Sequence, residues 1–397
     1  MSILERKRVL LGVSGGIAAY KACELTRRLK DAGADVRVLM TRAACEFVSP
    51  LTFQALSGNP VGLSLLDPAA EAAMGHIELA RFAEIFVIAP ASADLIARLA
   101  HGMADDLLGT VALACAAPLA LAPSMNQQMY AHAATQANLA TLKARGVAVL
   151  GPASGAQACG DVGAGRMLEP AELIEHFERL LTPQRLRGKR VLLNAGPTFE
   201  DIDPVRYIGN RSSGQMGFAL ARAAAQMGAE VTLIAGPVDL ATPQGVKRTD
   251  VRSAEQMRRA MLDALPGQDL IIAVAAVADY SVEPKPHKIK RGEGKLHLEL
   301  NPNPDILAEL ARAPGRGYLV GFAAESQSLE SNARGKLERK GVDAIAANWI
   351  GRPGLGIDAG ANALTLIDKE RTLEFPAQPK LALALALISE LAQRLDR

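Results

Sequence analysis

Aromatic residues are scarce: Phe, Trp and Tyr make up 4% of the 397 residues, against 49% for all apolar types. A core with so few rings is filled by alanine and branched aliphatics, which suits helices packed closely on sheets. Cysteine is limited to four positions, Cys23, Cys45, Cys115 and Cys159. They lie far apart, with no Cys-x-x-Cys pair and no Cys/His cluster, which argues against a disulfide framework or structural zinc and for a reducing cytoplasm. Charge is nearly balanced, Lys+Arg 44 against Asp+Glu 42 for a formal net of +2. That balance gives no field for coating a nucleic acid, although a nucleotide needs only a few local cations. Long apolar runs are missing too. The stretch 107–123 is broken by Gly109 and Pro118 and is too short for a membrane span. The run after Glu5-Arg6-Lys7-Arg8 is too short for a signal peptide and reads as a strand.

What the chain does have is two Gly-rich turns, each placed where an apolar strand gives way to a helix. Residues 9–13 run into Ser14-Gly15-Gly16 and a helical stretch, 17–30; residues 191–193 run into Asn194-Ala195-Gly196-Pro197-Thr198, with a helix over 213–227. A strand, a glycine turn and a helix N-terminus together make an anion site, because unpaired backbone N–H groups and the helix dipole converge there. Strands and helices alternate along the rest of the chain, as doubly wound parallel sheets require. The length suits two domains. The polar, basic segment 182–190 separates 1–181 from 191–397 and is the expected linker. Residues 283–295 pack Pro, Lys, His and Gly without apolar periodicity and read as a loop.

In the first half, Gly12-Val13-Ser14-Gly15-Gly16 departs in spacing from the Gly-x-Gly-x-x-Gly dinucleotide fingerprint, and the second strand ends in Leu39-Met40-Thr41 with no ribose-gripping carboxylate. Ser14, Thr41 and Ser92 all fall at strand C-terminal ends, where open α/β sheets bind ligands. Three hydroxyl-bearing turns suit a mononucleotide phosphate; each hydroxyl is equally suited to capping a helix. His76 begins an amphipathic helix. Asn126 follows a buried strand, where its amide could bind a carboxylate or cap the next helix. Cys159 sits in a Gly-rich loop with few bulky neighbours, and its thiol is expected to be accessible.

The set Ser14-Gly15-Gly16-Ile17-Ala18-Ala19-Tyr20-Lys21, Gly75-His76-Ile77, Pro123-Ser124-Met125-Asn126 and Ala158-Cys159-Gly160-Asp161 closely resembles the flavin-dependent cysteine decarboxylases, in particular the decarboxylase half of the bifunctional coenzyme A biosynthesis family. The resemblance implies a flavodoxin-like flavoprotein domain with FMN held by the turns at Gly12, Ser14, Gly15, Thr41 and Ser92. It implies that the cysteinyl thiol of phosphopantothenoylcysteine is oxidised to a thioaldehyde. The electron pair left behind when CO₂ departs then has the sink that a plain thiol-bearing carboxylate lacks. His76 would be the base, the Asn126 amide would hold the substrate carboxylate, and Cys159 would return a proton to the ene-thiolate. Ser92 and Ser124 stand where threonine and alanine are common in that family.

In the second half, Asn210-Arg211-Ser212-Ser213-Gly214-Gln215-Met216-Gly217 opens the helix after the glycine turn, and its small residues let backbone amides approach a phosphate. It lacks the Gly-Lys-Ser/Thr ending of a Walker A loop. Lys336 and Lys340 fall four apart on a predicted helix and share a face. The pattern is similar to the ligase half of the same family. The resemblance implies a CTP-dependent reaction joining L-cysteine to 4'-phosphopantothenate through an acyl-cytidylate. Gly196, Ser212, Gly214, Gly217, Ala275, Phe322 and Asn348 would surround the nucleotide, with Asp279, Pro304, Asp305, Ile306, Lys336 and Lys340 in the same site. Lys288 would oppose charge on the phosphoryl oxygens; Asn210 would act on the intermediate, with Arg206 beside it. Mg²⁺ is implied with CTP, its ligands unknown. A homo-oligomer is implied, with trimeric flavin domains and dimeric ligase domains combining into as much as a dodecamer; membrane and nucleic-acid partners are not expected. Asn194 and Gly209 depart from the Thr and Ser usual in the family.

Overall fold

The computed structural model describes residues 3–65, 75–291, 295–350, 356 and 359–395. The described residues divide into two compact units, the first ending at Thr182 and the second beginning at Pro183. Among the described residues no helix is long and apolar enough to cross a membrane.

The first unit is built on six parallel strands: β1 (Arg8–Val13), β2 (Asp35–Met40), β3 (Val61–Gly62), β4 (Ile85–Ala91), β5 (Leu119–Pro123) and β6 (Ala148–Val149), in the order β3-β2-β1-β4-β5-β6. Apart from the two-residue edge strand β3, this is the flavodoxin-type order, with the topological switch between β1 and β4. Val9 pairs with Val36 on one side and Ile85 on the other. β4 is buried at every residue, which explains its unbroken apolar sequence. Leu11, Val13, Leu25 and Phe177 fill one face of the sheet; Leu10, Phe86, Leu95 and Val111 fill the other. The apolar stretch from 107 begins as a helix, Leu107–Ala114, whose N-cap Asp106 accepts from the Gly109 amide at 2.7 Å. The loop around Cys159 is ordered by a hairpin, β7 (Ala153–Ala156) antiparallel to β8 (Val162–Arg166).

The second unit holds the strands β9 (Arg190–Ala195), β10 (Phe199–Asp201), β11 (Tyr207–Gly209), β12 (Glu230–Ala235), β13 (Val246–Asp250), β14 (Leu270–Ala273), β15 (Tyr280–Ser281), β16 (Asn301–Pro302), β17 (Tyr318–Glu325), β18 (Ala344–Trp349), β19 (Ala361–Asp368) and β20 (Thr372–Pro379). Eight of them form one sheet, β13-β12-β9-β14-β17-β18-β19-β20. Parallel pairing stops at β18, and β19 and β20 are antiparallel, so this sheet is mixed where alternation suggested an all-parallel one. The cause is local: β19 and β20 are joined by a tight turn at 369–371, closed by an Asp368 carboxylate that accepts from the Glu370 and Arg371 amides. Helices Gln215–Gln226 and Lys380–Leu395 cover one face; helices Ala254–Ala264, Ile306–Arg312 and Leu329–Lys340 cover the other. The stretch 182–190, expected as a linker, is tied to this unit from 183 on: Leu186 is buried in its core and its amide donates to Met227 O at 2.9 Å, while Arg190 opens β9.

Candidate active sites

In the first unit the turns after β1 and β4 are tied to each other. Ser14 is buried; its Oγ donates to the Pro90 carbonyl at 2.8 Å and accepts from the Ser92 amide at 2.9 Å. Thr41 and Ser92 cap the helices Arg42–Cys45 and Ala93–Ala100, accepting from Ala44 and Leu95 amides at 3.2 and 3.3 Å. All three hydroxyls thus hold the turns in place. Gly15 must be glycine because the β1 turn touches the β2 turn: a Cβ there would lie 2.6 Å from Ala43 Cβ. Gly12 lies one layer deeper, inside β1, where a Cβ would meet Ile88 and Leu108 at 3.1 Å; what it provides here is close packing. At Gly16 a Cβ would meet nothing within 4 Å, and this residue opens onto a cavity of about 440 Å³.

Asn126 and Cys159 line that same cavity, with Lys21 and Gln157. Asn126 caps the helix Gln127–Ala131 through Oδ1, which accepts from the Gln128 amide at 2.8 Å. That bond fixes the amide so that Nδ2 faces outward. It donates to Asp161 Oδ2 at 2.8 Å and lies 3.4 Å from the Cys159 sulfur. Gln157 Oε1 accepts from the Gln127 amide at 3.1 Å and sits 3.9 Å from that sulfur. The hairpin can come this close because Gly165 has no side chain: a Cβ would lie 2.3 Å from Met125 O. Cys159 is exposed, as its surroundings suggested. Asp161 and Gln157 had no role in the sequence reading, although Asp161 lies within the motif around Cys159. His76 stands in the helix Gly75–Phe82 with Nδ1 buried and unpartnered among the described residues, and it does not line this cavity.

The second unit carries a cavity of about 460 Å³ at the C-terminal ends of β9, β14 and β17. Gly196, Asn210, Ser212, Gly214 and Gly217 line one side, and Ala275, Asp279, Phe322, Lys336 and Asn348 the other. Gly214 takes φ +70° at the N-cap of helix Gln215–Gln226, and Gly217 lets that helix lie against β9, since a Cβ would come 2.5 Å from Ala195 Cβ. Asn210 Nδ2 donates to Val277 O at 2.8 Å. Lys336 donates to Phe322 O at 2.6 Å; burial, then the neighbouring Lys340 charge, pushes its pKa below the ordinary lysine value.

Six of the expected residues stand apart from this lining: Pro304, Asp305, Ile306, Lys340, Arg206 and Lys288. Lys340 is ion-paired to Asp305, and Asp305 caps helix Ile306–Arg312 by accepting from the Ala308 amide at 3.0 Å, with Pro304 just before it. Burial alone would raise the Asp305 carboxyl; the bond from Lys340 and the Ala308 amide hold it below its usual range. The Arg206 guanidinium donates to Asp203 Oδ2 at 2.5 Å and to Ile289 O at 2.7 Å, so it anchors the loop that exposes Lys288. Asp203 is buried, yet the bonds from Arg206 and from the Val205, Ile289 and Arg206 amides hold its carboxyl well below the usual range.

Four further polar residues, Arg211, Gln215, Asn362 and Lys380, line the cavity without having been given a role in the sequence reading. Lys380 is buried and donates to Gln215 Oε1 at 2.8 Å. It is the lone cation at the head of an apolar helix, a contrast visible in Lys380-Leu381-Ala382-Leu383-Ala384-Leu385. Among the described residues no cluster of three or more His, Cys, Asp or Glu side chains could hold a metal ion.

Two α/β units, each with a glycine-lined cavity at the carboxyl ends of its strands, define a two-site α/β protein whose cavities lie where open sheets bind ligands. Residues 2–182 match the flavoprotein family model, and residues 186–395 match the C-terminal domain model of the DNA/pantothenate metabolism flavoproteins. The chain is 56% identical over 392 residues to the coenzyme A biosynthesis bifunctional protein CoaBC of Vibrio cholerae, covering 98% of each. It is 50% identical over 399 residues to that of Escherichia coli K12, covering 99% of this chain and 98% of the relative. A crystal structure of the C-terminal domain of a CoaBC protein, 36% identical, aligns with a TM-score of 0.47 over 54% of this chain and 98% of that one. The chain belongs to the family of bifunctional coenzyme A biosynthesis proteins. It is an enzyme with a flavoprotein decarboxylase half and a ligase half.

Proposed function

We propose that the C-terminal unit uses CTP to join L-cysteine to 4'-phosphopantothenate through an acyl-cytidylate, and that the N-terminal unit decarboxylates the product with FMN, in the cytoplasm. For the first unit the observation that carries the reading is the meeting of the Asn126 amide and the Cys159 sulfur, 3.4 Å apart, in one cavity beside the β1 turn. Asn126 Nδ2 offers a fixed donor to a substrate carboxylate, and Cys159 holds a proton within reach of the carbon that CO₂ leaves. His76, with its unpartnered Nδ1, is the residue proposed to take a proton from the substrate. The glycine cradle fits a flavin phosphate: the turns of Ser14, Gly15, Thr41 and Ser92, packed through Gly12, would hold FMN by backbone amides. Bound there, FMN supplies a two-electron oxidation and its reversal, with no net redox change.

For the second unit, support comes from ten expected residues lining one cavity, among them the partly buried cation Lys336. Ser212, Gly214 and the amides opening helix Gln215–Gln226 suit the phosphates, with Gly196, Gly217, Ala275, Phe322 and Asn348 around the nucleoside. Lys340, Pro304, Asp305 and Ile306 complete the site at its margin, Asp279 within the lining belongs to the same site, and Asn210 acts on the acyl-cytidylate. Lys288 is proposed to oppose phosphoryl charge from the exposed loop, with Arg206 beside Asn210 and the intermediate. Mg²⁺ would travel with the triphosphate. The homo-oligomer, with trimeric flavin domains and dimeric ligase domains, forms part of the same proposal. The test supplies phosphopantothenate, cysteine, CTP and Mg²⁺ to the FMN-loaded chain and follows pyrophosphate, CMP and CO₂. Release of all three is expected; pyrophosphate without CO₂ removes the decarboxylase reading, and no pyrophosphate removes the ligase reading.

A further inference from the structure

In the first unit, the donor proposed to receive the substrate carboxylate already holds a carboxylate from the chain itself. Asn126 Nδ2 donates to Asp161 Oδ2 at 2.8 Å, while Asn126 Oδ1 is committed to the Gln128 amide and cannot exchange roles. Asp161 is exposed, and it has no arginine or lysine ion-pair partner among the described pairs, so nothing else in the site calls for a carboxylate at this spot. We infer that Asp161 is a built-in stand-in for the substrate carboxylate: it occupies the Asn126 amide and must leave when a carboxylate-bearing substrate arrives.

The hairpin tip makes the exchange consequential. Gln157 N donates to Asp161 O at 2.8 Å and Gly160 N donates to Gln157 O at 2.9 Å, so 157–161 is a closed turn. Asp161 and Cys159 are separated by Gly160 alone, at φ +90°, and both sit on Asn126 Nδ2. A tip that releases Asp161 carries the thiol with it. Recognition of the carboxylate is thereby linked to placement of the proton donor: a ligand with no carboxylate gives the tip no reason to move. Two carboxylates also cannot share one amide proton pair closely without repulsion, which drives Asp161 away once the substrate is seated.

This inference rests on the reading of Asn126 as the carboxylate holder, and the experiment separates the two. Two ligands that the decarboxylase cannot turn over are used: phosphopantothenoylserine, and the same molecule lacking its carboxylate, phosphopantothenoylethanolamine. Each is titrated by calorimetry into the full-length FMN-loaded chain, its Asp161→Asn variant and its Asn126→Ala variant. Asp161→Asn keeps an acceptor of the same shape but removes the charge, so it holds Asn126 more weakly. It is expected to tighten phosphopantothenoylserine by about three- to tenfold and to leave phosphopantothenoylethanolamine unchanged. A merely structural Asp161 would weaken both ligands together; that result, or no change in either, overturns the inference. If Asn126→Ala leaves the ratio of the two affinities as it is in the unaltered chain, Asn126 does not hold the carboxylate, and both readings fall.

Discussion

Replacing Asn194 by alanine probes how the nucleotide cavity is held open. Asn194 is buried at the end of β9, and its Oδ1 accepts from the Val274 amide at 2.8 Å and the Ala275 amide at 2.9 Å. β14 ends at Ala273, so a side chain takes over from the ladder just where the chain turns to line the cavity. Alanine strips both amides of their acceptor. A fully buried orphan costs about 1–3 kcal/mol. Val274 and Ala275 border the cavity, however, so water can reach them, and the low end applies to each. The expected loss is about 2 kcal/mol in the second unit, or a fall of roughly 4–8 °C in its unfolding midpoint. Differential scanning calorimetry of the full-length chain measures this, and CTP titration should show weaker binding because Ala275 loses its fixed position. A midpoint unchanged within a degree, with normal CTP affinity, would refute the idea that one amide oxygen sets the shape of this wall.

Lys336 gives a pH-dependent test: its charge favours a triphosphate, and burial holds its pKa below the ordinary lysine value. CTP affinity should therefore be full below that pKa and decline as pH rises through it, at lower pH than an exposed lysine would allow. Lys336→Arg should abolish that alkaline decline; a profile identical to the unaltered chain would reject the role. Cys159→Ser should slow the sequence after ligation, with an oxidised, decarboxylated product accumulating in mass spectra, whereas unchanged turnover would remove Cys159 as proton donor. In Asn210→Asp a carboxylate would face the Val277 carbonyl that now accepts from Nδ2, so the side chain must turn away. Acyl-cytidylate should build up, and its absence while turnover drops would count against the assignment.

Legibility followed the strength of local pattern. β1, β2 and β12 announce themselves as apolar runs between glycine punctuation, and their buried interiors explain why. The helix Leu107–Ala114 has no polar face to give it a period, so it read only as an apolar stretch. The hairpin of β7 and β8 is written mostly in Ala, Ser and Gly, with one Val and one Arg, which give no clear two-residue alternation, yet it is what brings Cys159 to Asn126. In the second unit the glycines were readable because close backbone approach leaves marks in sequence; Lys336, one of a lysine pair that alone suits a solvated face, was placed at the site only by the family resemblance. Asn362 and Lys380 were not, since they reach the cavity from β19 and the terminal helix, elements distant in sequence from the glycine turn. Asp161 was in view as part of a motif, but only its bond to Asn126 gives it a function to test.

The central claim is that two separate backbone cradles hold two different nucleotides. Its most direct measurement is the absorbance spectrum of the purified full-length chain, with CTP titrated before and after the flavin is stripped. The account predicts a yellow protein that releases FMN, takes it back on reconstitution, and binds CTP equally well with or without it. Colourless protein that takes up no FMN, or CTP binding that disappears with the flavin, would contradict it.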